Sequence, residues 1–156
     1  MGQFITIFLL TICSMEFAAW ALHKYVMHGF LWCLHEDHHQ PYDKVFQKND
    51  FFAVFFAVPS FLLILFGSLQ QNTVFSALGF GIMAYGALYF FVHEIIIHRR
   101  LKFFRGKGWY FNALIRAHRD HHKIQGKEGS ANFGMLIAHP RYFKSTKASS
   151  LAQSSK

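Results

Sequence analysis

Ten of the eleven histidines fall into four short blocks, and the blocks repeat. His23 and His28 are spaced H-x4-H, then His35, His38 and His39 follow as H-x2-H-H. The order recurs with His93 and His98, then His118, His121 and His122. Both H-x2-H-H blocks also share an aspartate, reading H-x-D-H-H. Imidazole nitrogens in such numbers bind Zn, Fe, Cu or Ni. Residues three and four apart share a helix face. The three histidines of each H-x2-H-H block are therefore expected to point one way. The H-x4-H pairs fit a straight helix less well, because residues five apart sit about 140° around it. They are expected to grip metal from two sides, or to flank a helix end. A structural zinc site needs four ligands, often with cysteine. Ten histidines suit two metals with open positions for a reactant, in a nitrogen-rich site. His139 stands outside the pattern and is not expected to be a ligand.

Acidic residues beside the boxes are candidates to orient them, since a metal-bound histidine usually donates its other N–H to a carboxylate or carbonyl. Glu94, Asp37 and Asp120 are adjacent to box histidines. Asp37 and Asp120 read equally well as solvated loop charges. Glu16 lies two helical turns before His23, inside an apolar run, where an ionisable group is functional by default. It is expected to hydrogen-bond a box histidine, His23 first. Glu16 and Glu94 are thus the two candidate catalytic carboxylates.

The elements that must carry these boxes are apolar. Hydrophobic residues make up 53% of the 156, and 20 are Phe, a greasier composition than a soluble domain needs. Three stretches are long enough to cross a bilayer, which takes about 20 helical residues. They run over 4–22, 51–69 and 73–92. The first lacks the basic start of a signal peptide. Asn49 and Asp50 are suited to cap the second, and Pro59 is expected to kink it. Gly79, Gly81 and Gly86 are expected to let the third pack closely. The fold class is therefore all-α: an integral membrane helical bundle with a histidine-rich cap. One domain is expected over 1–144, followed by a disordered tail, 145–156.

Sixteen Lys and Arg face eight Asp and Glu, and no basic residue precedes Lys24. All sixteen lie in 23–50 and 93–156, two segments that three crossings place on the same side. The positive-inside rule puts that side in the cytoplasm, and with it all four boxes. Apolar content turns the basic balance towards a membrane surface or an acidic protein rather than nucleic acid. The two cysteines, Cys13 and Cys33, make no CxxC pair and suggest no disulfide or zinc framework. Neighbouring Lys and Arg are expected to keep the box histidines neutral.

The boxes resemble those of the fatty acid hydroxylase/sterol desaturase superfamily of membrane di-iron enzymes. The words around them, HKYVMHG at 23–29, HEDHHQP at 35–41, YGALYFFVHE at 85–94 and AHRDHH with GKEGSANFG over 117–134, narrow the likeness to its carotenoid branch. Glu94 stands where that pattern has Asp. The resemblance implies that the ten box histidines hold two irons, with Zn a plausible adventitious occupant. It also implies O2 as co-substrate and hydroxylation at C3 of β-ionone rings, from β-carotene through β-cryptoxanthin to zeaxanthin. The polyene is expected to enter from the lipid, with the Phe-rich second helix along its path. A sister enzyme acting on fatty acid or sterol, or a desaturase, would carry the same boxes. A metal transporter or sensor is the rival of another class, but transporters place ligands near the bilayer midplane, and these boxes begin where the spans end.

Oxygen chemistry of this kind needs external electrons. The chain has no G-x-G-x-x-G turn for a nucleotide, no CxxCH haem motif and too few cysteines for an iron–sulfur cluster. A ferredoxin-type carrier is therefore expected. The run Arg99, Arg100, Lys102, Arg105 and Lys107 is its candidate dock, or equally an anchor on lipid phosphates.

Overall fold

A computed structural model of the chain describes residues 1–40, 46–102 and 104–144. The expected tail, 145–156, lies outside the described residues. Helices are the only regular elements among those described. Helix α1 (Gly2–Ala21) continues into a π-helical segment, π1 (Leu22–Phe30). A short α2 (Trp32–His35) and two 3-10 turns lead to α3 (Phe51–Leu69). A tight hairpin joins α3 to α4 (Thr73–Tyr89), which runs on as π2 (Phe90–Ile97). Helix α5 (Trp109–His122) and a 3-10 turn (Pro140–Phe143) follow.

Three helical stretches are apolar and long enough to cross a membrane: Gly2–Phe30, Lys48–Leu69 and Thr73–Ile97. Each is dominated by apolar side chains whose transfer out of water is favourable, and helix closure satisfies their backbone groups internally. The hairpin between α3 and α4 is set locally. Gln71 takes a left-handed conformation (φ 51°) that ends α3, and the Asn72 side chain accepts from the N–H groups of Val74 and Phe75 to start α4.

Helix α4 lies between α1 and α3 and packs on both. Small residues make this possible. A Cβ at Gly79 would stand 2.8 Å from the backbone N of Ile64, and one at Gly81 would stand 2.6 Å from Thr11 Cβ. Gly79 thus seats α3 and Gly81 seats α1. Ser60 of α3 donates to the Gly79 carbonyl at 2.8 Å. Gly86 differs from the sequence expectation: nothing stands within 4 Å of a Cβ there, and it opens onto a cavity instead. Asn49 differs too. Its side chain does not cap α3 but turns inward to His35, while Asp50 accepts from the Gln47 N–H at 2.9 Å.

Helix α5 is amphipathic and caps the bundle. Ala113, Leu114, Ala117, His118 and His121 form its buried face. The first three join Val92, Ala138 and Tyr142 in a small core. This core fixes α5 against the end of the third span, so the last three box histidines meet the first seven.

The glycine seats yield a direct expectation. Gly79→Ala forces Cβ into the α3 backbone and should cost about 1–3 kcal/mol, the usual range for overpacking. Gly86→Ala should cost nothing. Thermal unfolding of the detergent-solubilised chain compares the two, and equal midpoints would remove Gly79 from the packing argument.

Candidate metal centre

The histidines gather into two clusters, though not box by box. His23, His28, His35, His39 and His121 form one, with ligand atoms all within 4.8 Å of one another. His38, His98, His118 and His122 form the other, and His93 joins it, its Nε2 3.1 Å from that of His38. Each H-x2-H-H block is therefore split: its first and last histidines serve one cluster, and its middle histidine crosses to the other. Residues i+3 and i+4 sit about 100° apart around a helix, so α5 alone can straddle both positions. In the first block His35 ends α2, His38 lies in the 3-10 turn Glu36–His38 and His39 follows it, so the change of helix type divides the set. The expectation that each block points one way is corrected accordingly.

The H-x4-H spacing finds its explanation in the backbone. The first pair lies within π1, and in the second His93 lies in π2 while His98 directly follows it. The i→i+5 hydrogen bonds of such segments bring residue i+5 over residue i. The bond from His98 N–H to the His93 carbonyl, 2.9 Å, is itself of this kind. Two sequence-distant pairs that look poorly phased on an α-helix are thus phased by widening it.

Seven histidines are oriented by an acceptor at Nδ1. His23, His28, His39 and His121 meet the backbone carbonyls of Phe133, Lys127, Ile124 and Ala131 at 2.9–3.0 Å. His35 meets Asn49 Oδ1 at 2.7 Å and His38 meets Gln47 Oε1 at 3.0 Å. His93 meets Glu94 Oε1 at 2.6 Å. An oxygen there requires the proton on Nδ1, which leaves a lone pair on Nε2. Yet the Nε2 atoms crowd together: His28 and His39 at 3.1 Å, His28 and His121 at 3.2 Å, His39 and His121 at 3.1 Å. Lone pairs at that separation repel unless a cation lies between them. Nitrogen ligands about 2.1 Å from an ion and 90° apart are separated by about 3.0 Å, which matches. Among the described residues, neither cluster includes a carboxylate. The donor sets therefore fit two nitrogen-ligated metal ions.

Burial keeps these ligands neutral. It pulls the imidazole of His35 down to about 2, with neighbouring histidines adding to the effect, and that of His39 to about 4. His121 falls to about 3, again through burial first and then the nearby His39. Desolvation and mutual repulsion, rather than the surrounding Lys and Arg, are the main causes.

The acids take varied places. Glu94 supports His93 as expected and forms an ion pair with Arg100 at 3.0 Å; Arg100 also donates to Asp50 at 2.8 Å. Glu16 hydrogen-bonds to no histidine among the described residues, contrary to the expectation for His23. Its Oε1 accepts from the N–H groups of Met135, Leu136 and Ile137 at 2.9–3.0 Å, and Tyr85 donates to its Oε2 at 2.8 Å. Asp37 accepts from the Lys48 N–H, and Asp120 pairs with Lys123 and Tyr142. His139 is exposed and accepts only from the Arg141 N–H. Sequence reasoning missed Asn49, Gln47 and the four carbonyls. The polar pair beside the second box was a usable signal, whereas a backbone carbonyl leaves none.

A cavity of about 1040 Å³ opens between α1, α3 and α4 and reaches both clusters, with His23 and His98 in its wall. Along α3 it extends from Phe52 to Ile64, about 18 Å at 1.5 Å per residue. Phe56, Phe61 and Met83 are among its apolar lining, and Arg99 and Lys102 among its polar lining.

The split boxes make paired substitutions informative. His118→Ala with His122→Ala removes two ligands from one cluster, so a chelator titration should find one metal weakened and one unchanged. His121→Ala with His122→Ala removes one from each and should weaken both. The same pattern from both pairs would contradict the crossing.

Residues 8–144 match the family model described as fatty acid hydroxylase. A β-carotene hydroxylase of Pantoea ananas is 44% identical over 132 residues, 83% of this chain and 74% of that protein. One from Paracoccus sp. (strain PC1) is 34% identical over 142 residues, covering 90% and 86%. A chloroplastic β-carotene 3-hydroxylase of an Oncidium hybrid cultivar is 37% identical over 132 residues, 81% of this chain and 42% of the longer plant protein. No solved structure matches the chain.

Proposed function

This chain belongs to the fatty acid hydroxylase family, and from that premise we propose that it is a membrane carotenoid hydroxylase acting at C3 of β-ionone rings. The relatives named as β-carotene hydroxylases support the substrate class, and the plant relative's name gives the position. The observation that carries the reading is the cavity: a long apolar chamber between spans, with one histidine from each cluster in its wall. It suits an elongated hydrocarbon arriving from the lipid more than a polar solute.

His23, His28, His35, His39 and His121 would hold one iron, and His38, His93, His98, His118 and His122 the other. The irons would supply O2 reduction and the oxidising power to replace a ring C–H by C–OH. The protein's own part is to place and shield. Phe52, Phe56 and Phe61 of α3 face the chamber and would hold the polyene while excluding water. Glu94 fixes the His93 ring through its Nδ1. Tyr89 packs on His93, ring centroids 4.9 Å apart, and lines the chamber beside His98. A ring presented at this end would lie with its methylenes towards both clusters and its chain along α3.

Expression of the full chain in cells that accumulate β-carotene tests the reading. The expected pigments are β-cryptoxanthin and zeaxanthin, lost in His38→Ala and His121→Ala. Unchanged carotene with hydroxylated or desaturated fatty acids or sterols would point to a sister activity instead.

The electrons would come from an acidic, ferredoxin-type carrier on the cytoplasmic face. The basic run is smaller than the sequence suggested, because Arg100 pairs inward with Glu94 and Asp50, and Arg99 is half-buried in the cavity wall. Lys102, Arg105 and Lys107 remain exposed. Arg105→Glu with Lys107→Glu should slow carrier-supported turnover and flatten its salt dependence, yet spare turnover driven by a small reductant. Equal effects on both assays would leave the run as a lipid anchor.

A further inference from the structure

The two clusters are built alike in their ligands and differently in their supports. In the cluster containing His121, four of five histidines lean on carbonyls of one stretch: Ile124, Lys127, Ala131 and Phe133. In the cluster containing His38, no histidine leans on that stretch among the described residues; His38 uses Gln47 and His93 uses Glu94. The supporting stretch has no helix between His122 and Pro140, so its own backbone ladder does not hold it.

Glu16 holds it. One carboxylate oxygen accepts from three consecutive N–H groups, Met135 to Ile137, directly after the Phe133 carbonyl that orients His23. Successive amides converging on one oxygen form an anion nest, and hydrogen bonds to a charged group are among the stronger ones. Tyr85 fixes the other oxygen, which ties the nest to α4. Gly134 permits the approach, since a Cβ there would stand 2.6 Å from the Ile137 carbonyl and 3.5 Å from Glu16 Oε1. The repeat supplies the contrast. Seven residues before the first histidine of each H-x4-H pair stand Glu16 in one half and Gly86 in the other. Directly after that histidine stand Lys24 and Glu94.

We propose that Glu16 is a positioning residue for one metal position only: it latches the 124–137 stretch, and so sets metal affinity at the His23–His28–His35–His39–His121 cluster without affecting its neighbour. The two positions are thereby inequivalent, one held by a loop and its latch, the other by side chains of its own. This rests on the two-metal reading above.

Zn2+ titration against a competing chelator, on the purified full chain stripped of metal, separates the possibilities. In a His118→Ala/His122→Ala background, which leaves the latched cluster whole, Glu16→Leu should weaken Zn2+ binding about 10- to 100-fold, as loss of a supporting partner does. Glu16→Gln keeps an acceptor for the three N–H groups and should recover most of that loss. In a His28→Ala/His39→Ala background, which leaves only the His38 cluster whole, Glu16→Leu should change nothing. Should Glu16→Leu lose its helical circular dichroism, Gly134→Ala carries the test with the same split expected. Equal weakening in both backgrounds, or none in either, overturns the latch while leaving the hydroxylase reading intact. A wild-type chain that takes up no Zn2+ overturns the metal reading itself.

Discussion

The constraint beneath everything else is that ten imidazole lone pairs must be aimed at two points inside a dry space. Left alone, such an arrangement is unfavourable: the rings lose hydration, and their Nε2 atoms repel at about 3 Å. It persists as a folded geometry only if each ring is prevented from turning away. The Nδ1 acceptors do this for seven of the ten rings, and their cost is modest because most are backbone carbonyls that burial would otherwise leave unpaired. A carbonyl serves two needs at once, satisfying itself and choosing the tautomer.

That constraint explains the shape of the cap. Helix α5, and α2 together with the 3-10 turn that follows it, are short and peripheral to the spans, yet each must serve both histidine clusters. The π-helical ends of the first and third spans let a membrane helix deliver two ligands to one point just where it leaves the lipid. A wider turn binds its own backbone less favourably than an α-turn, and segments of this kind concentrate at functional sites. Below them, the glycine contacts of α4 draw α1 and α3 close at one level, and the same three helices part above it to form the chamber. Packing and cavity are thus two stretches of one helix trio.

Much of this was legible in the sequence. Helix α3 begins at Phe51 and ends at Leu69, the bounds of the apolar run, because hydropathy and helix length act locally. The clustering of the box histidines was legible because histidine is rare enough for a repeat to stand out. Their division between two clusters was not, since it depends on how α5 and the end of α2 dock against the spans. Glu16 was legible as a buried charge needing a partner, but its partners are backbone N–H groups 119 to 121 residues away, and amides carry no residue signature. Asn49 read as a helix cap because caps and buried amide acceptors use the same side chain. The H-x4-H spacing was recognised as awkward for an α-helix, and the awkwardness was the signal of the π-segments.

The crossing of His38 and His121 has a consequence for how such a chain is put together. His38 of the first half completes the set of His93, His98, His118 and His122, and His121 of the second half completes the set of the first. Residue i meets the partner of j while j meets the partner of i, which is the contact rule of an isologous two-fold interface. Here that rule is written within a single polypeptide. Neither half owns a complete site, so each is left with four histidines of its own and a vacancy that only the other half fills. The chain is organised as a reciprocal exchange between two copies of one motif, made permanent by a covalent link.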